Sequence, residues 1–188
     1  MNTHYALRHR MNVNLDQYRD APHDPETLAA RREALIDQLG WLADEAKALE
    51  PMLADLPAWA LDRAPLPDDR TAKETLAHLA LLDRDVYPRW MEQLVAGEHP
   101  TLAEAGNETD SEANNRDLGD LLAGVREGRA ALIETVRDVP ESEWTRKAML
   151  ADEEVDLFDV ALRIVRHDAD CLRNLAYRLH EAKLTDRP

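Results

Sequence analysis

The sequence predicts an all-α protein, a four-helix bundle with long crossover connections and an N-terminal arm, on three observations. Ala, Leu, Glu and Arg are abundant, whereas the 188 residues include only six Gly and one Phe, a balance that favours helices over strands. Apolar residues recur at three- and four-residue spacing through four long segments. Cap and stop residues bound those segments. Four amphipathic helices bury their stripes most economically against one another, and inward side chains of facing helices are then the natural place for a site.

The first helix is expected from about Asp24 to Leu53. Asp24-Pro25-Glu26 supplies a cap and a proline at the first helical position, and Leu28, Leu35, Leu39, Leu42, Ala46 and Leu49 form the stripe. Residues 1–23 hold Tyr5, Leu7, Met11, Val13, Leu15 and Tyr18 without a clean period and read as an arm that packs on the bundle or on a second subunit. The bundle proper is expected over 24–182, with a tail over 183–188. Prolines 51, 57, 65 and 67 should break any long helix after the first, with Trp59 and Leu61 anchoring the connection to the core.

Thr71 and Glu74 match a capping box opening a second helix that runs to about Val95, with Leu76, Leu79, Val86, Trp90 and Leu94 inward. Pro88 should bend it, because the Arg84 carbonyl loses its donor. Asp83 falls inside the apolar stripe, so it reads as a buried acid with a partner or as a residue facing a cavity. The polar stretch from Gly97 to about Arg116 lacks a core pattern and reads as a loop over one end of the bundle. The third helix is expected over 118–139, with Leu121, Leu122, Val125, Ala131, Leu132 and Val136 inward, and a turn near Trp144 follows. The last helix, from about Asp156 to Ala182, carries Leu157, Val160, Ala161, Ile164, Cys171, Leu175 and Leu179, with His167 at the stripe's edge.

Composition narrows the functional classes. A formal net charge of -15, from 38 acids against 23 basic residues, argues against duplex nucleic acid, whose phosphates need clustered cations. No apolar run approaches the ~18 residues of a membrane span. One Cys permits no internal disulfide, and with no apolar leader near the start a reducing, cytoplasmic location is expected. No Gly-rich phosphate loop or Ser-His-Asp elbow is present.

The chemistry-bearing residues are His78 on the second helix and His167 with Cys171 on the last. Residues four apart lie ~40° from each other around a helix, so one ion could reach both His167 and Cys171, and His78 would complete a three-ligand site with open positions. The plainer reading of Cys171 is a small buried core residue, and of His78 a hydrogen-bonding residue at a boundary. Asp168 and Asp170 flank the pair, and Arg163, Arg166 and Arg173 are near enough in sequence to pair with them.

Thr71-Ala-Lys-Glu-Thr-Leu-Ala-His78-Leu, Asp83 five residues on, the Ala-Gly-Glu-His-Pro stretch, Glu-Trp144 and Arg166-His167-Asp168 together resemble the DinB-like superfamily, with its YfiT-like metal-dependent hydrolases. The resemblance covers roughly residues 24–182. It implies a four-helix bundle, frequently dimeric, holding a divalent metal through three histidines, and in some relatives a low-molecular-weight thiol as cosubstrate. The first two histidine positions fall on His78 and His167, and the third falls on Cys171. Asn174 stands where a glutamine often follows, and Arg70 where relatives often have tryptophan.

The resulting expectation is a divalent metal, zinc or nickel, on His78, His167 and Cys171 between helices two and four. Asp83 is then the candidate proton carrier or supporting partner. The reaction would be a hydrolysis or a thiol S-transfer on a small-molecule substrate, in a homodimer without nucleic-acid or membrane partners. The alternative is a noncatalytic small-molecule-binding or assembly bundle in which the metal site has degenerated and Cys171 is a packed thiol.

Overall fold

The first long helix, α1 (Pro25–Ala54), starts where Asp24 caps it, its carboxylate accepting from Thr27 N–H at 3.0 Å, with Pro25 in the first turn. The computed structural model describes residues 24–64, 69–105 and 110–185; the expected arm over 1–23, Pro65, Pro67 and residues 186–188 lie outside the described residues. Leu35, Leu39, Leu42, Ala46 and Leu49 of α1 are buried as the stripe predicts. Pro51 lies inside the helix, which ends at Ala54, close to the expected Leu53. A proline in the last turn removes only one ladder bond, and Leu53 beyond it is fully buried.

A short helix, α2 (Ala58–Asp62), follows Pro57. Leu61 is buried, but Trp59, expected to anchor the connection, is 44% exposed. Thr71 then forms the predicted capping box, its hydroxyl accepting from Glu74 N–H at 3.0 Å while the Glu74 carboxylate accepts from Thr71 N–H at 2.7 Å. This box opens α3 (Ala72–Leu81). A π-helical turn over Leu82–Val86 joins α3 to α4 (Tyr87–Ala96), so the expected single helix is interrupted just before Pro88. The wider turn takes up the bond that Pro88 cannot make to Arg84, and it points Asp83 inward.

The segment over 97–116 is more than a loop. It contributes β1 (Thr101–Leu102) and a 3-10 turn (Ala113–Asn115), with Leu102 and Ala113 buried. β1 pairs in parallel with β2 (Ala148–Leu150), which pairs antiparallel with β3 (Glu153–Val155) in the register Ala148↔Val155. The β2–β3 connection places both Ala151 and Asp152 at positive φ, 50° and 63°, the backbone of a tight hairpin turn. No strand is expected from the sequence, and this small sheet corrects that reading.

α5 (Leu118–Asp138) begins at Asp117, which accepts from Gly119 N–H, and α6 spans Leu157–Thr185. Leu121, Leu122, Val125, Leu132 and Val136 of α5 are buried as predicted, but Ala131 is exposed and Arg129 is the residue turned inward. On α6 the predicted stripe is buried from Leu157 to Leu175.

The four long arms form the predicted bundle in an uncommon order. α1 packs on α5 and α6, and α3 packs on the same two, so α1 and α3, consecutive in sequence, lie across the bundle from each other. One buried cluster gathers Leu39, Trp90, Leu132, Trp144 and Phe158 with the sheet residues, and a second gathers Leu42, Leu76, Leu121, Cys171 and Leu175. Among the described residues no helix is long and apolar enough to cross a membrane.

α3 and α5 approach closely through small residues, and two glycines test how closely. A Cβ on Gly124 would sit 3.6 Å from the Ala80 Cβ, an ordinary contact, whereas one on Gly128 would meet the Asp83 Cβ at 3.2 Å and the Ala80 carbonyl at 3.4 Å. Gly124→Ala is therefore expected to raise stability by ~0.5–1 kcal/mol through helix propensity. Gly128→Ala is expected to lose that gain by pushing on Asp83. Urea unfolding of the two variants checks the difference in sign.

Candidate functional site

His78, His167 and Cys171 come together between α3 and α6. His78 is buried, on the last turn of α3, and His167 is partly buried with 36% of its side chain exposed. Their Nε2 atoms lie 3.3 Å apart and the rings meet edge to face with centroids 5.3 Å apart. Cys171, one turn beyond His167 and largely buried, brings Sγ to 3.6 Å from the same His167 Nε2. On the other side of the ring, the Tyr87 hydroxyl lies 3.5 Å from His167 Nδ1.

Two imidazole nitrogens at this separation cannot both present bare lone pairs to each other; a proton or a cation must lie between them. Two nitrogens bound to one tetrahedral ion at ~2.0–2.1 Å are ~3.3 Å apart, and a thiolate at ~2.3 Å lies ~3.6 Å from such a nitrogen. The two edges that share His167 Nε2 have those lengths. Burial, reinforced by the positive charge of Arg70, holds the His167 pKa below its ordinary value against the pull of Asp170, which favours the neutral imidazole that binds metals. The donor chemistry thus suits a divalent ion. The three donors do not form a ready-made cage, however: among the described residues no group of three or more His, Cys, Asp or Glu side chains is disposed to hold an ion.

Asp83 stands apart from the histidines, in a buried network that the sequence only half announces. Arg129 of α5, fully buried, donates from Nε and one terminal nitrogen to the two Asp83 oxygens at 2.9 and 2.8 Å. Its other terminal nitrogen donates to Asp168 Oδ2 at 2.7 Å and to the Leu39 carbonyl at 3.3 Å. Asp83 is therefore the paired buried acid of the two readings, and Asp168 pairs with Arg129 and not with a neighbour on its own helix. Asp170 does take the local partner, Arg173, at 2.7 Å. The second Asp168 oxygen, Oδ1, is buried without a hydrogen-bond partner, 4.0 Å from His167 Nδ1.

Arg129 carries a signal in the sequence that the reading above does not use. It occupies the apolar stripe between Val125 and Leu132, where a cation is as conspicuous as Asp83 is on the stripe that runs from α3 into the π-helical turn, and two opposite charges on two core stripes signal a buried pair. Tyr87 carries no such signal, since an aromatic residue beside a proline reads as packing.

Burial sets the protonation of this network. It pushes Asp83 up to about 6 although Arg129 opposes the shift, and it raises Asp168 against the same opposition. Burial also works against the Arg129 charge, but Asp168 and Asp83 more than offset it and hold its pKa above the usual arginine value. The Tyr87 phenol is raised by burial and by the nearby acids, so it stays protonated.

An acid whose folded pKa exceeds its unfolded value favours folding when protonated. The Asp83 contribution is fully present below about 4 and is lost as pH climbs through about 6. Asp83→Asn mimics the protonated acid, so its stability relative to wild type is expected to improve by up to ~3 kcal/mol between pH 4 and pH 7. Thermal melts of both proteins across that window measure it; parallel curves would reject this assignment.

The family model described as the DinB superfamily matches residues 41–173, some seven-tenths of the chain. Among solved structures, YfiT from Bacillus subtilis, described as a probable metal-dependent hydrolase with an unusual four-helix bundle topology, superposes with a TM-score of 0.65. The identity is 16%, over 89% of this chain and 91% of that one, a likeness of fold. No curated protein matches the chain.

Proposed function

The chain belongs to the DinB superfamily, and from that membership we propose that it holds a divalent ion on His78 and His167, with Cys171 as third donor, for chemistry on a small molecule. The observation that carries the reading is the convergence of a second imidazole and a thiol on one His167 nitrogen, at 3.3 and 3.6 Å. An ion bound there would polarise a substrate carbonyl or lower the pKa of a water or thiol.

The protein's own groups serve that role in distinct ways. For His167 Nε2 to keep its lone pair, Nδ1 must carry the ring proton, and in that tautomer the Tyr87 oxygen 3.5 Å away can accept from it. Burial keeps the ring neutral. Asp83, with both oxygens engaged by Arg129, is a structural partner and is poorly placed to carry protons to a substrate.

Metal analysis of protein purified without a histidine tag tests the reading. We expect close to one zinc or nickel per chain after incubation, and a loss of at least ~100-fold in affinity on His78→Ala or His167→Ala, beyond the 10- to 100-fold typical of outer partners. Substoichiometric metal, unmoved by incubation or by either substitution, sinks it. Activity that depends on an added small thiol assigns S-transfer, and activity indifferent to thiols assigns hydrolysis. A homodimer is part of the same proposal; light scattering at 21.3 kDa would contradict it.

One observation favours a second reading, a noncatalytic small-molecule-binding bundle: the three donors are not closed on a common point among the described residues. A ligand whose thermal shift survives loss of both histidines supports that alternative.

A further inference from the structure

We propose that a cleft between α3 and α5 binds a linear amino-carboxylate, a small zwitterion whose ammonium and carboxylate are held apart by a short apolar chain. The cleft has a volume of about 310 Å³, at the small end of the range for ligand pockets, and none of His78, His167 and Cys171 lines it. The site is therefore separate from the one between α3 and α6 and does not depend on a metal there. Its floor is apolar and built from small residues, with Ala77 and Ala80 of α3 facing Gly124 and Gly128 of α5. Leu81, Pro88 and Ala131 add apolar wall. Such a surface suits methylene groups.

The rim supplies two charges that the protein itself leaves open. Arg84 is taken up by Asp85, which accepts from its Nε and a terminal nitrogen at 2.8–3.2 Å. Arg116 makes one side-chain hydrogen bond, to Asp110 at 3.3 Å, and its other guanidinium N–H groups have no acceptor among the described residues. An arginine fork can serve a second acid, as Arg129 does for Asp83 and Asp168. Glu127 is exposed and has no hydrogen bond or ion pair among the described residues. A carboxylate at Arg116 and an ammonium at Glu127 would give each a partner of opposite sign. Arg116 precedes α5 and Glu127 lies in its third turn, so their backbones are ~15 Å apart along the helix axis. Even with both side chains reaching inward, an α-amino acid, its charges only ~3 Å apart, is too short to meet both. A chain of about five methylenes spans the gap and lies on the apolar floor.

Titration of 6-aminohexanoate, hexanoate, hexylamine and alanine into the full chain, followed by amide NMR shifts in ~0.15 M salt to screen the overall negative charge, tests the proposal. Wild type is expected to bind 6-aminohexanoate with a Kd of order 1 mM or tighter, with shifts centred on α3 and α5, and the other three compounds at least ~3-fold more weakly. Glu127→Gln is expected to reduce 6-aminohexanoate to the level of hexanoate, and Arg116→Gln to the level of hexylamine. Ala131→Leu, at an exposed helical position, is expected to fold like wild type and to weaken binding by filling part of the cleft. Binding of hexanoate, hexylamine or alanine as tight as that of 6-aminohexanoate overturns the proposal, as does a Kd that neither rim substitution moves. No shift with any of the four below ~10 mM overturns it too, and each of these results leaves the metal reading untouched.

Discussion

Arg129→Met is expected to destabilise the protein by ~3–5 kcal/mol, the cost of breaking a buried ion pair from one side. Asp83 and Asp168 are essentially inaccessible, and among the described residues Arg129 supplies the charged hydrogen bonds to both. Methionine fills much of the volume but leaves two buried carboxyls with no cation. For a chain of this length the loss corresponds to a fall of roughly 6–20 °C in Tm. Arg129→Lys should recover only part of it, since one ammonium cannot reproduce the fork that meets both Asp83 oxygens and Asp168 at once. Combining Arg129→Met with Asp83→Asn and Asp168→Asn should recover more than lysine does, because the uncompensated charge is what costs most. Thermal and urea unfolding of the three proteins rank them; a single variant within ~1 kcal/mol of wild type would show the network to be dispensable.

Trp144→Ala carries the second large effect, ~3–5 kcal/mol from lost burial and the cavity left behind. The indole is fully buried, its ring centroid is 4.9 Å from that of Phe158, and the Arg32 guanidinium lies 5.6 Å from its centre. Its Nε1–H is buried with no hydrogen-bond partner. That detail separates two substitutions: Trp144→Phe removes the unpaired donor together with part of the ring, so the two changes oppose each other and the loss should be well under half that of alanine. Denaturant midpoints measure both, and equal losses would mean that the N–H finds a partner such as a water.

The fold was legible wherever local chemistry decides the outcome. The Asp24 cap, the Thr71–Glu74 box and the stripes of α1 and α6 follow from backbone donors that need partners and apolar faces that need burial. The π-helical turn was not legible, because a run of residues read at a single helical period holds no sign of where one extra residue is accommodated, although Pro88 and the inward Asp83 both mark the place. The hairpin escaped notice because its turn uses Ala151 and Asp152 at positive φ where Gly or Asn would announce it. At the candidate site, His78, His167 and Cys171 were found from spacing and context, and they do approach one another. Arg129 was missed because an arginine in a helix reads by default as a solvated residue, and only its place on an apolar stripe argues otherwise.

The cross-bundle placement of α1 and α3 has a consequence for how the chain acquires its structure. As the polypeptide emerges from the ribosome, its first half presents two long apolar stripes that do not become each other's neighbours; each waits for α5 and α6. Contacts between distant parts of the chain must then form together, which raises the contact order above that of an up-and-down bundle and slows folding. The candidate site is held back longest, since His167 and Cys171 arrive on the last helix, so a nascent or C-terminally truncated chain carries His78 without its partners.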